Sequence, residues 1–365
     1  MVAAVCSDSG KYWLLLAIPL CLLLAACAQT PENLRFDPFA GEQSGNWPTW
    51  PRAPEVPRYI YAGLLTGERN FKADEVADRQ AIGQAFAWLV GLGQEVKKPV
   101  VLQRPQSGTV DAAGRIYVTD VSRRGVFVFD AVAGQLNVWE RATSSERFIS
   151  PIAIVVDRQG DLLVSDADLG IIARLKPDGT PDTPFGRGLL KRPTGIARDA
   201  QSGRLFVADT RANDIKVFDG NGELIDTLGS AGDMPGRLNA PTYLAFADGL
   251  LYVTDTLNSR IQVFDAEGNA VRQFGERGIY IGNLARPKGI SVDSEGNVYV
   301  VESYFDHLLI FDREGRFLLP IGGTGGGPGE FYLPAGVWTD SRDQVYVADM
   351  FNGRVEIFQF LGGTQ

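Results

Sequence analysis

The sequence predicts an all-β chain folded as a six-bladed β-propeller, with an N-terminal strand closing the last blade and a short inserted helix. Three observations predict it. A strand motif ending in an acid recurs six times, and its acids Asp120, Asp166, Asp209, Asp255, Glu302 and Asp349 are 46, 43, 46, 47 and 47 residues apart. A proline (Pro105, Pro151, Pro193, Pro241, Pro287, Pro334) stands 14 to 16 residues before each acid. A third strand follows every acid after a loop of constant length, read as five residues. Short strands repeating with a period in the forties mark propeller blades.

The motif is the second strand of each blade: GRIYVTD (114–120), GDLLVSD (160–166), GRLFVAD (203–209), GLLYVTD (249–255), GNVYVVE (296–302) and QVYVAD (344–349). Third strands such as VFVFD (126–130) and IQVFD (261–265) follow. Apolar residues alternate with small or polar ones, as in half-buried antiparallel strands. The turns DGNGE, DAEGN and DREGR supply residues that tolerate positive φ.

Residues 287–312, PKGISVDSEGNVYVVESYFDHLLIFD, resemble the NHL repeat family of six-bladed propellers, and 241–265 and 193–219 resemble it almost as closely. The resemblance is strong over 105–360 and weak over 56–104. It extends to a bacterial lipoprotein branch in which a Trp-Pro-rich lead precedes the first blade, here WPTWPRAPEVPRYIYAGLLTG (47–67). It implies that Asn258 with Arg260 and Asn352 with Arg354 are structural pairs. Animal members include RNA binders and ubiquitin ligases. Neither activity carries over, because RING cysteines are missing and the net charge is -9.

The N-terminus reads as a processing signal. Tyr12 to Ala26 is an apolar run preceded by Lys11. It is too short for a confident membrane span and suits a signal-peptide core. Leu24-Ala25-Ala26-Cys27 resembles a bacterial lipobox. That resemblance implies removal of 1–26 and a lipid on Cys27 that anchors the chain in the cell envelope. Ala28 in place of an acid resembles cargo sent to the outer membrane. Residues 27–57 carry six prolines and read as a tether, with the propeller at 58–361. Trp47 and Trp50 are expected to cover an apolar patch of the domain.

Blades one to five are each expected to end in a fourth strand, such as LIDTLG (224–229). After VEIFQF only LGGTQ remains, so the sixth blade would expose a bare edge. RYIYAGLLTG (58–67) has the right alternation to fill it. Residues 71–94 read as a helix on the propeller surface.

Composition narrows the function. The charge of -9 argues against binding a phosphate backbone, so no nucleic-acid partner is expected. Cys6, Cys21 and Cys27 all precede the repeats, so no disulfide can cross-link the propeller. A lone histidine, His307, makes a conventional zinc site or a Ser/His/Asp triad improbable. No cofactor is expected, with a weakly held calcium as the open alternative.

Propeller topology places the proline-led crossings and the post-acid loops on one face, the proline face. The hairpin turns lie on the other. The turn face is acidic. The proline face collects Arg104, Arg123, Arg124, Arg192, Arg211, Arg286 and Lys288, with Asp168, Asp214 and Asp306 between them. It also collects Tyr243, Tyr304, Phe305, Met350 and Phe351. Cations beside aromatics suit an acidic peptide, protein or glycan. The expectation is therefore a monomeric, lipid-anchored scaffold or sensor that binds through this face. The alternative is a metal-assisted hydrolase or lyase of the gluconolactonase-like kind. The six acids are expected to cap their own loops rather than share a metal.

Overall fold

The computed structural model describes residues 34–36, 47–71 and 99–362. Cys27, the signal segment and all of the expected helix except Phe71 lie outside the described residues. The two helical pieces described, Glu68–Asn70 and Thr256–Asn258, are single 3-10 turns. Six antiparallel sheets make up the rest.

Each sheet begins at an inner strand: Pro105–Val110, Pro151–Val156, Pro193–Arg198, Pro241–Ala247, Pro287–Val292 and Val337–Thr339. Every inner strand packs on the next, and the sixth packs on the first, so the sheets form a ring of six blades. The second strands are buried along their whole length in four blades and at all but their first residue in blades 4 and 6, not alternately as expected. The reason is that both of their faces are covered. In blade 6, Val345 and Val347 join Tyr299 and Val301 of blade 5, while Tyr346 and Ala348 join Ile116 and Val118 of blade 1.

Hydroxyls stitch neighbouring blades together. Thr119 donates to the Ile152 carbonyl (2.6 Å), Thr210 to Pro241 (2.6 Å) and Thr256 to Pro287 (2.9 Å). The post-acid loop has four residues in every blade rather than five. The third strand therefore starts one residue earlier, and the acid faces its first residue across the ladder, as Asp255 faces Arg260.

Blade 6 is completed from the N-terminus. Tyr59–Leu65 pairs antiparallel with Arg354–Phe360, from Tyr59 opposite Phe360 to Leu65 opposite Val355. A bulge lies between Tyr61 and Gly63, where φ is +135 and a β-carbon would sit 2.6 Å from that of Phe36. Only glycine fits there. Thr49–Trp50 adds a fifth strand outside Tyr59–Leu65, so the sheet starts before residue 58. Pro48 and Pro51 bracket that strand and keep it short, which blunts the exposed edge. Trp50 is buried with Tyr59, Tyr61 and Phe358, and Trp47 packs beside them. Further upstream, the Arg35 amide donates to the Asn70 carbonyl at 2.7 Å.

Blade 2 departs from expectation, because its fourth strand is reduced to two isolated bridges, Leu175 to Pro181 and Ile172 to Phe185. Pro181 and Pro184 lack the N–H groups a continuous strand would donate.

If Tyr59–Leu65 is integral to the core, Tyr61→Ala should lower unfolding free energy in urea by about 3–5 kcal/mol. A loss below about 1 kcal/mol would show the closing strand to be dispensable.

Candidate binding face and central channel

The six acids build the proline face from beneath. Asp120 accepts from the amides of Gln103 (2.6 Å) and Arg104 (2.9 Å) in the crossing, and from those of Ser122 and Arg123 (both 2.9 Å) in the loop after it. Asp166 does the same with Ile149 and Leu169. Each carboxylate thus ties two surface loops together, which is the capping role expected of it. Among the described residues no three His, Cys, Asp or Glu side chains converge in metal-ligating geometry.

Arg260 and Arg354 are structural, as the resemblance implied. Arg260 bonds Asp255 at 2.8 Å and the Arg237 carbonyl at 3.0 Å. Arg354 bonds Asp349 at 2.8 Å and the Glu330 carbonyl at 2.9 Å. Burial nonetheless holds the Asp349 carboxyl above the usual range, against the bonds it accepts. The turn-face acids also serve the backbone. Asp219 accepts from Asn221 and Glu223, and Asp265 from Glu267 and Asn269.

The residues assigned to the proline face do not all present themselves there. Arg104, Arg211, Arg286, Tyr304 and Phe351 are exposed. The Arg104 guanidinium lies 5.0 Å from the centre of the Phe351 ring. Phe305 is half-buried, edge-on to Tyr304 at 4.9 Å. Arg123 is half-buried and bonds the Val101 carbonyl, and Arg192 pairs with Asp168 at 3.0 Å. Sequence reasoning missed Ile279, Tyr280, Ile281 and Tyr332 in the crossings of this face, all of them well exposed. The signal for the first three was an apolar run (GIYIG, 278–282) inside a loop.

Tyr243 must be corrected. It is buried and its hydroxyl donates to the Gln106 carbonyl at 3.1 Å, linking blade 4 to blade 1. Burial raises its pKa. The equivalent positions in the other blades are Ser107, Ala153, Gly195, Gly289 and Gly336. They are small because the inner strands nearly touch there: a β-carbon on Gly195 would sit 2.4 Å from the Tyr243 Cα. One tyrosine therefore plugs the ring. On the turn side of the plug lies a cavity of about 230 Å³ that includes Arg198, Ser291 and Trp338 in its lining. Among the described residues nothing accepts a hydrogen bond from Arg198 Nη1 or Trp338 Nε1.

Lys288 lies at the ring mouth on the proline side. It is half-buried, and no described residue forms a hydrogen bond or ion pair with its ammonium group. Burial, and then the nearby Arg286, push its pKa down from 10.5 to about 8. A half-buried ammonium under the repulsion of a nearby guanidinium is a charge that an anion would stabilise.

Residues 292–363 match a family described as a 6-bladed beta-propeller. No curated protein matches the sequence. Solved structures share the fold at low identity. Virginiamycin B lyase from Staphylococcus aureus is 14% identical with a TM-score of 0.53, over 71% of this chain and 96% of that one. A gluconolactonase from Xanthomonas campestris is 16% identical with a TM-score of 0.54, over 72% and 89%. An auxiliary nutrient binding protein from Bacteroides thetaiotaomicron is 12% identical with a TM-score of 0.55, over 70% and 69%. At these identities the likeness is one of fold, and fold does not fix function.

The Lys288 penalty has a pH window. Its folded pKa lies below its unfolded value, so the penalty is complete below about pH 8 and vanishes as pH rises through 10.5. The shift corresponds to roughly 3 kcal/mol at most, and partial exposure reduces that to about 1–2 kcal/mol. Lys288→Met should therefore stabilise the protein at pH 7 by about 1–2 kcal/mol and confer no gain above pH 10.5. An equal gain at both pH values, measured by urea unfolding, would contradict the desolvated charge.

Proposed function

We propose that this chain is a binding protein of the bacterial cell envelope, monomeric and held to the outer membrane by a lipid on Cys27. Its proline face holds an acidic protein, peptide or polysaccharide. The observation that carries this reading is the pair Arg286 and Lys288 at the start of the blade 5 inner strand, one exposed and the other half-buried, neither with a hydrogen bond or ion pair from its side chain to a described residue. Exposed Tyr304, Tyr332 and Phe351, the last with the Arg104 guanidinium beside its ring, add apolar area on the same face without a large ordering cost.

The anchor reading gains support from geometry. Leu34 and Phe36 pack at the seam of blades 6 and 1. Cys27 precedes Leu34 by seven residues, an extended reach of at most about 25 Å. A lipid there would hold the propeller close to the bilayer.

A metal-assisted hydrolase or lyase is the second reading. Glu302 and His307 lining one cavity is the observation in its favour. Purified domain that binds calcium or zinc stoichiometrically and hydrolyses lactone or ester probes would support it.

The binding reading is tested by capture from envelope extracts with wild type, Arg286→Glu/Lys288→Glu and a turn-face control, Arg158→Glu. Wild type and control should retain the same protein or polysaccharide, and the double variant should lose at least tenfold of it. Equal retention by all three would overturn the assignment of the face.

A further inference from the structure

Blades 4, 5 and 6 share one scaffold with different contents. In blades 4 and 6 an arginine begins the third strand directly across from the acid, Arg260 from Asp255 and Arg354 from Asp349. Its guanidinium bonds that acid at 2.8 Å in both blades. It also donates to carbonyls of the crossing that leads into its own blade, those of Met234 and Arg237 in blade 4 and of Gly326, Gly327 and Glu330 in blade 6. An asparagine two residues earlier, Asn258 or Asn352, bonds the same acid and the same crossing.

Blade 5 keeps the acid and removes the cation. Glu302 faces His307, the asparagine position is Phe305, and the position of Gln262 and Glu356 is Leu309. Where the guanidinium lies in the sibling blades, blade 5 has a cavity of about 70 Å³. That is room for two or three waters at about 30 Å³ each, or for one planar guanidinium. Glu302, Phe305, His307 and Leu309 line it, together with the crossing at 279–283. Glu302 is 1% exposed. It accepts from the amides of Arg286 and Tyr304, and no described residue forms an ion pair with it. Burial raises its pKa against those bonds, and the Arg286 charge opposes the rise least.

We propose that this cavity receives an arginine side chain from a partner polypeptide. The guanidinium takes the place that Arg260 and Arg354 fill from within, beside Glu302. The aliphatic stem lies against Phe305 and the exposed lip formed by Ile279, Tyr280 and Ile281. The planar fork suits a buried carboxylate better than a compact, strongly hydrated ammonium does. The inference rests on the proline face being the binding surface, and it deepens that reading. The Arg286 amide bonds Glu302, so an acidic residue beside the partner's arginine would find the Arg286 guanidinium to pair with.

The test is an NMR titration with N-acetyl-arginine methylamide, with the citrulline analogue as a neutral control of the same shape. Wild type should show saturable shifts at Phe305, His307 and Tyr280, and the citrulline compound should bind at least tenfold more weakly. His307→Arg fills the cavity with its own guanidinium. It should bind the arginine compound at least tenfold more weakly while unfolding at the same or a higher temperature. Glu302→Gln should weaken binding as much, and His307→Arg covers the case in which loss of the Glu302 cap harms folding. Equal binding of the citrulline compound, or unchanged binding by His307→Arg, would overturn the proposal. So would stoichiometric calcium or zinc binding abolished by Glu302→Gln. These results are independent of capture through Arg286 and Lys288. A failed titration with intact capture overturns the arginine pocket alone, and failed capture overturns the face.

Discussion

The antiparallel ladder between Tyr59–Leu65 and Arg354–Phe360 is the constraint on which the rest of the molecule depends. It joins the two ends of the propeller chain within one sheet. Without it, blade 6 would have three strands and an open edge, and Tyr59, Tyr61 and Trp50 would leave the cluster they form with Tyr299, Phe331 and Phe358. The Tyr59 and Tyr299 hydroxyls, 3.1 Å apart, carry that constraint into blade 5. Loop closure over this length costs little more than closure of a much shorter loop. The gain is burial of several large aromatic side chains.

Closure also fixes which loops can act together. The buried acids tie each crossing to the loop after its second strand, so the proline face is a set of braced loops rather than free ones. Tyr243 blocks the ring from within. A ligand arriving from the proline side therefore meets a shallow surface with two distinctive places, the Arg286 and Lys288 pair and the blade 5 cavity. The cavity exists because blade 5 lacks the arginine that blades 4 and 6 use structurally at the same position. Arg260 and Arg354 show what the position does when it is filled, and His307 leaves it open.

Much of this was legible in the sequence because it repeats. Six prolines and six acids at nearly fixed spacing gave the blades, and the missing sixth fourth strand pointed to residues near 60. His307 in an arginine position could be read the same way. Other features were not recovered because they break the repeat. Pro181 and Pro184 interrupt the outer strand of blade 2, although the proline signal was present. Tyr243 was placed on the surface because its topological position is at the proline end. Its true place follows only from comparison with Ser107, Ala153, Gly195, Gly289 and Gly336, whose small size shows how closely the inner strands approach. Arg198 and Trp338 lining one channel depends on blades 3 and 6 lying across the ring from each other, which no local pattern encodes.

Native-state hydrogen exchange tests the closed ring most directly. Amides of residues 59–65 that bond to 354–360 should exchange with the same free energy as the second strands of the blades, by global unfolding alone. Exchange of residues 59–65 at least a hundredfold faster than those strands would show an N-terminal segment that only rests on blade 6. The braced face described above would then lose its foundation.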